Sequence, residues 1–180
     1  MIWKENLAGQ YVSLRSIEME DAAYSLQIRQ DKKRNQFLHA VNNDINQQRR
    51  WIRWQRQAQG DYFFITESTN GEKLGTVGVY DIQGTQGHLG RLLMFGNPFQ
   101  TFEACLLAMQ FAYDMLGLET MRGDVDVRNM PSMHLSEALG FHFGETVHDA
   151  ELNRDFRWGT AYRSEFPDYA AKLHALIYRN

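Results

Sequence analysis

One hundred and eighty residues and a mass of 21.0 kDa suit one domain, since single cores commonly span about 100 to 150 residues and two would be cramped at this length. A chain that is 43% hydrophobic and 23% charged, with three prolines, is neither disordered, collagenous nor repetitive. A net charge of −3 and a pI near 6.1 give no reason to expect nucleic acid as a partner, although fourteen of the nineteen basic residues are arginine, the side chain suited to bidentate recognition of phosphate and carboxylate.

Residues 11–15 alternate as a strand, and the acidic stretch from Ser16 to Ala22 leads into a helix carrying Ala23, Leu26 and Ile28. Residues 43–59 place Ile45, Trp51, Ile52, Trp54 and Ala58 among polar side chains, which predicts an amphipathic helix closed by Gly60. Four arginines, Arg49, Arg50, Arg53 and Arg56, crowd this helix. They either grip an anionic ligand beside the tryptophans or face water. Residues 62–66 form an aromatic and β-branched strand. The Asn70-Gly71 turn then predicts a hairpin into a strand over 74–82, and a further turn leads to a strand over 88–95.

After Gly96-Asn97-Pro98 the apolar period becomes helical, through Phe102, Cys105, Met109 and Leu116 to a stop at Gly117. Cys105 cannot close an intrachain disulfide and reads as a core thiol. Residues 121–127 alternate as a strand and 132–139 form a short helix. Two strands near 141–148 and 156–163 follow, and Pro167 opens a last helix. A meander followed by a β-α-β-α-β order predicts an α+β (α/β-like) domain with one mixed, mostly antiparallel sheet of about seven strands and helices on both faces.

No 18-residue apolar run and no leader pattern occurs, so no membrane partner and a cytoplasmic location are expected. No His-x-x-x-His, CxxC or carboxylate cluster has the spacing of a metal site, and no G-x-S-x-G elbow points to a hydrolase.

Four stretches in one order carry a resemblance over nearly the whole chain. They are Leu7 to Arg15 with Glu20-Asp21-Ala22; Leu74-Gly75-Thr76-Val77-Gly78-Val79; Glu103-Ala104 with the run from Leu106 to Leu118; and Asn129-Met130-Pro131-Ser132 with Glu137-Ala138-Leu139-Gly140-Phe141. Together they resemble the GNAT superfamily of acetyl-CoA-dependent N-acetyltransferases, in the branch of ribosomal-protein amino-terminal and amino-sugar acetyltransferases.

That resemblance implies acetyl-CoA as cosubstrate, a small-molecule amine as acceptor and a possible pairing of two copies into a homodimer. It places the cosubstrate against Leu93, Met94 and Phe95, the turn holding Asn97, Phe99, Gln100, Thr101 and Phe102, and Asn129. Here the family usually writes a glycine-rich turn, Q/R-x-x-G-x-G/A, whose amides approach the diphosphate; this sequence has one glycine and a proline. The tyrosine that many members use as general acid falls on Ser136.

His88, at the start of its strand, is the candidate base, since histidine is the side chain most often used for general acid–base work, and His134 with Ser136 the alternative proton route. The stretch from Leu26 to Asp31, with Asn35 to Leu38, resembles the acceptor-pocket segment of enzymes acting on nucleotide-linked amino sugars. This makes Arg29 and Phe37 candidate substrate residues. Amino-terminal acetylation of a peptide, or a binding module without turnover, are the alternatives.

Overall fold

A computed structural model describes residues 1–38 and 41–178. Its sheet has eight strands: β1 (Leu7–Ala8), β2 (Val12–Ser16), β3 (Tyr62–Ser68), β4 (Lys73–Gln83), β5 (Gln86–Met94), β6 (Thr120–Asp126), β7 (His142–Asp149) and β8 (Arg154–Tyr162). They lie in the order β1-β2-β3-β4-β5-β6-β8-β7, and every pairing is antiparallel except β5 with β6. The sheet is therefore mixed and mostly antiparallel, as the element order implied. The eighth strand is β1, two residues too short to show any alternation.

Helices α1 (Ala22–Arg29) and α2 (Ile45–Gln55) cover one face, and α3 (Pro98–Gln110), α4 (Met130–Ala138) and α5 (Phe166–Ile177) accompany the larger core on the other. Strand β3 shows why both faces are covered. Successive side chains point to opposite sides, so Tyr62 and Phe64 enter the core with α3 and α5, while Phe63 and Ile65 pack with Ile17, Ala22 and Ile52 under α1 and α2. No helix among the described residues is long and apolar enough to cross a membrane.

Several boundaries differ from the sequence pattern, each for a local reason. Ser16 closes β2 instead of opening α1, because its hydroxyl accepts the Trp3 N–H at 2.8 Å and donates to the Trp3 carbonyl at 3.0 Å. A one-turn 3₁₀ helix (Met19–Asp21), with Glu18 and Asp21 in a reciprocal cap, then precedes α1. Helix α2 is shorter than residues 43–59. Asp44 caps it by accepting from the Asn46 N–H at 2.8 Å. Helix α3 begins at Pro98, four residues before the first apolar position of its period, because Asn97 caps it. It runs into a π-helical turn (Phe111–Met115), where Phe111 sits within 5.0 to 5.2 Å of the rings of Tyr62, Trp3 and Phe64.

Glu103 ties α3 to the first strands. Its fully buried carboxylate accepts the N–H groups of Gln10, Tyr11 and Val12 at 2.7, 2.8 and 2.7 Å, and the Tyr178 hydroxyl. The Glu-Ala pair of the sequence is thus a structural anchor. Cys105 is fully buried, and burial pushes its thiol up to about 12, as a core position implies.

Candidate functional site

The site is built on an interruption of the sheet. Strands β5 and β6 pair only over Gln86–His88 with Thr120–Arg122. Beyond that, β5 continues beside β4 as far as Met94 against Gly75, and β6 continues beside β8 as far as Asp126 against Phe156. The two parallel strands therefore diverge, and β5 shows an unpaired edge to the gap.

The β4–β5 register slips between Thr76 and Gly78, with an extra residue on β5 at Arg91, whose φ of 51° is left-handed without being glycine. The bulge aims the Arg91 side chain at the α1–α2 face. There it meets Asp61 in a bidentate pair at 2.6 and 2.8 Å, lies 4.1 Å from the Tyr80 ring centroid, and lies 5.5 and 5.8 Å from those of Trp51 and Phe63. Gln55 Nε2 holds Asp61 from behind at 3.1 Å.

A cavity of about 380 Å³ opens beside this pair, between α1, α2 and strands β3 to β5. Its wall includes Arg29, Gln47, Gln48, Trp51, Arg91 and Leu93, and no carboxylate lines it among the described residues. Burial pushes the Arg29 guanidinium below its ordinary value, but arginine keeps its proton in such surroundings. The cavity is thus lined by cations, amides and aromatic surface.

His88 occupies the last paired position before the gap. Its Nε2 lies 3.2 Å from Asp124 Oδ1 on β6, and its ring stacks on Tyr80 at 4.7 Å and meets Trp158 edge-on at 5.9 Å. Tyr80 joins His88 to Arg91, which it also contacts. Burial pushes the Tyr80 phenol above its usual range, so it stays neutral. Its hydroxyl overlies Gly90, where a Cβ would come within 2.5 Å of the oxygen.

At the far end of β5, the Phe95 N–H donates to the Leu74 carbonyl at 2.7 Å. The peptide is trans, so the Met94 carbonyl before it points the other way, into the gap. Arg34, from the segment after α1, donates to that carbonyl and lies 4.6 Å from the Phe95 ring centroid.

The remaining expected residues are dispersed. Asn97 and Gln100 cap each other: Gln100 N–H donates to Asn97 Oδ1 at 3.0 Å and Asn97 N–H to Gln100 Oε1 at 2.9 Å. Thr101 donates through its hydroxyl to the Asn97 carbonyl at 3.1 Å, Phe99 is exposed, and Phe102 packs beside the core. Asn129 caps α4, accepting from the Ser132 N–H at 3.3 Å. His134 is exposed on α4 and Ser136 half-buried. The Phe37 ring centroid lies 5.8 Å from the Arg128 guanidinium, and Phe37 is not among the residues that line the cavity.

The arginine-dense helix resolves in favour of its tryptophan. Trp51 faces the cavity, whereas Arg49, Arg50 and Arg53 are exposed and Arg56 donates to the Ile17 carbonyl. Asp61, Tyr80, Arg91 and Asp124 escaped sequence reasoning, since their proximity depends on strand register. Among the described residues no group of three or more His, Cys, Asp or Glu side chains is placed to hold a metal ion.

This architecture is shared. The Acetyltransferase (GNAT) domain family matches residues 12–142. The spermidine N(1)-acetyltransferase of Escherichia coli (strain K12) is 24% identical over 165 residues, covering 81% of each chain. Of the solved structures, a GCN5-related N-acetyltransferase from Brucella melitensis superposes with a TM-score of 0.82 at 19% identity, over 98% of this chain and 87% of its own. The apo form of FdhC, a nucleotide-linked sugar GNAT, superposes with a TM-score of 0.79 at 19% identity, over 99% and 100%. The chain, with its diverging parallel strands, belongs to the GNAT family of N-acetyltransferases.

Proposed function

We propose that this acetyltransferase moves an acetyl group from acetyl-CoA to the primary amine of a small molecule, and that the acceptor is an amino sugar linked to a nucleotide. The observation that carries the reading is the cavity reaching the β5 wall of the gap at Arg91 and Leu93, where a donor on one side and an acceptor on the other meet. The cosubstrate supplies an activated thioester; the chain supplies position and proton paths.

The gap fits an extended arm with amide groups. Met94 presents its backbone groups to the gap and forms with Leu93 and Phe95 the open edge that such an arm pairs with. A main-chain N–H here hydrogen-bonds the carbonyl whose carbon is attacked, where negative charge grows. The carbonyl of Met94 has two lone pairs, so an arm either shares it with Arg34 or displaces that side chain.

An ammonium must lose a proton before its nitrogen attacks. His88 takes it, by way of water along the Tyr80 ring, and Asp124 orients the imidazole: with Nε2–H donating to Asp124, Nδ1 carries the lone pair. As the C–N bond forms and the C–S bond breaks, the sulfur needs a proton, for which Ser136 or His134 on α4 offers the route through water.

The cavity wall favours an acceptor carrying hydroxyls, a planar base or an anionic group. Arg29 and Arg91 set guanidinium groups in the wall and no carboxylate lines it among the described residues, which opposes a polyamine such as the spermidine of the bacterial relatives. Trp51 and Phe63 offer stacking surface, and Gln47 and Gln48 pair with hydroxyls or base edges.

A thiol-release screen over amino sugars, nucleotide-linked amino sugars, polyamines and peptides with free amino termini tests this. Turnover is expected with the nucleotide-linked amino sugars. Preference for spermidine or for a peptide amino terminus would refute the acceptor assignment.

A further inference from the structure

An arm laid along the open edge of β5 leaves the strand at Met94, and the next element it meets is the start of α3, four residues on. A helix start is where the diphosphate of a nucleotide cosubstrate finds uncommitted N–H groups and the positive end of the helix dipole. In this chain most of those donors are used or missing. The Asn97 N–H donates to Gln100 Oε1, Pro98 has no N–H, and the Gln100 N–H donates to Asn97 Oδ1. Among the described residues, this leaves the amide of Phe99 as the uncommitted donor of the four.

The cap is doubly fixed. Gly96 has its missing Cβ position 2.7 Å from Gln100 Oε1, so the turn folds tightly onto the capping side chain, and the Thr101 hydroxyl donates back to the Asn97 carbonyl. That carbonyl also accepts the Thr101 N–H at 3.0 Å, the first intrahelical bond of α3, and the two side-chain oxygens of the cap are turned to the amides that a diphosphate would need. Arg34, above Phe95, already donates to the Met94 carbonyl.

Resting on the acetyl-transfer reading, we infer that donor recognition in this chain resides in the pantetheine arm and that the nucleotide adds little. The chain then accepts acetyl thioesters of pantetheine that lack the diphosphate nearly as well as it accepts acetyl-CoA.

Calorimetry of the whole chain with CoA, pantetheine and adenosine 3′,5′-bisphosphate tests the inference without turnover. Dissociation constants for CoA and pantetheine within about tenfold of each other, and no competition from the bisphosphate, are expected. CoA binding more than roughly a hundredfold tighter than pantetheine, or displacement of CoA by the bisphosphate, overturns it.

Two variants separate the cap from the ligand. Pro98→Ala restores an N–H, and Asn97→Gly with Gln100→Ala opens the remaining ones. Either is expected to tighten CoA severalfold and leave pantetheine unchanged, with circular dichroism reporting an intact fold. Loss of CoA affinity in the double variant alone means that Asn97 and Gln100 themselves grip the diphosphate, which defeats the inference. Binding of neither CoA nor pantetheine defeats it together with acetyl transfer, whereas tight nucleotide-dependent binding defeats the inference alone.

Discussion

Replacing Asp61 with Asn tests whether the wall of the acceptor cavity is held by an ion pair. The substitution keeps shape but puts an amide N–H₂ against the Arg91 guanidinium, so one of two bonds at 2.6 and 2.8 Å is lost and a half-buried cation loses its counter-charge. Breaking a buried pair costs about 3–5 kcal/mol; Arg91 retains 23% exposure against 7% for Asp61, which places this case near the lower figure, about 3 kcal/mol. With a urea m-value of roughly 2–3 kcal/mol/M, the unfolding midpoint falls by about 1 M.

Arg91→Met, which strands Asp61 instead, costs a similar amount. The double variant costs less than the two single ones summed, with a coupling of about 2 kcal/mol in the cycle. Because Arg91 also leans on Tyr80 and Trp51, Asp61→Asn raises the acceptor KM and leaves donor binding unchanged. A coupling below about 0.5 kcal/mol, with both single variants folded, refutes the claim that Asp61 positions Arg91.

The Asp21 carboxyl lies at about 2 against an ordinary 3.8: burial alone pushes it up, but Arg15 and Lys73, each at 2.7 Å, outweigh burial. A depressed folded-state value gives stability that is complete above about pH 4 and lost as the pH falls toward 2. The loss is roughly 2 kcal/mol and is absent in Asp21→Asn, as urea melts across that range measure. His88→Gln lowers kcat by about a hundredfold or more with donor affinity unchanged in calorimetry, and Asp124→Asn gives a smaller loss of kcat. Gly75→Ala puts a Cβ 2.1 Å from the Leu93 carbonyl at a φ of 156°, so a thermal melt shows destabilisation of about 3 kcal/mol and donor binding at the end of β5 weakens.

Much of the fold could be read from local pattern. The Asn70-Gly71 hairpin is present, with Gly71 at φ 83° and its N–H on the Ser68 carbonyl, and the change of period after Pro98 marks the crossover that makes β5 and β6 parallel. Strand β1 left no trace, because two residues have no period. The π turn was hidden because Phe111, Ala112 and Tyr113 are all buried, and an uninterrupted apolar run fits several helical pitches equally well.

The candidate site was legible one residue at a time. His88 could be named from its place at a strand start, whereas Arg29 and Leu93 were named through the family resemblance, Leu93 for the cosubstrate, and the structure sets both in the cavity wall. Asp61, Tyr80 and Asp124 could not be named, because each meets its partner across the sheet: Asp61 reaches Arg91 through a bulge, and Tyr80 and Asp124 flank His88 from the neighbouring strands β4 and β6. Nothing in Gly90-Arg91-Leu92-Leu93 announces that bulge, since Arg91 reads as an ordinary outward residue of an alternating strand.

Mass spectrometry of the acceptor most directly tests the claim that the gap between β5 and β6 joins an acetyl donor to an amine in the cavity. Incubated with acetyl-CoA and a nucleotide-linked amino sugar, the wild-type chain is expected to form the N-acetylated sugar. Arg91→Met is expected to lose acceptor affinity and His88→Gln to lose turnover. Acetylated spermidine in place of the sugar product, or full turnover in both variants, contradicts the account.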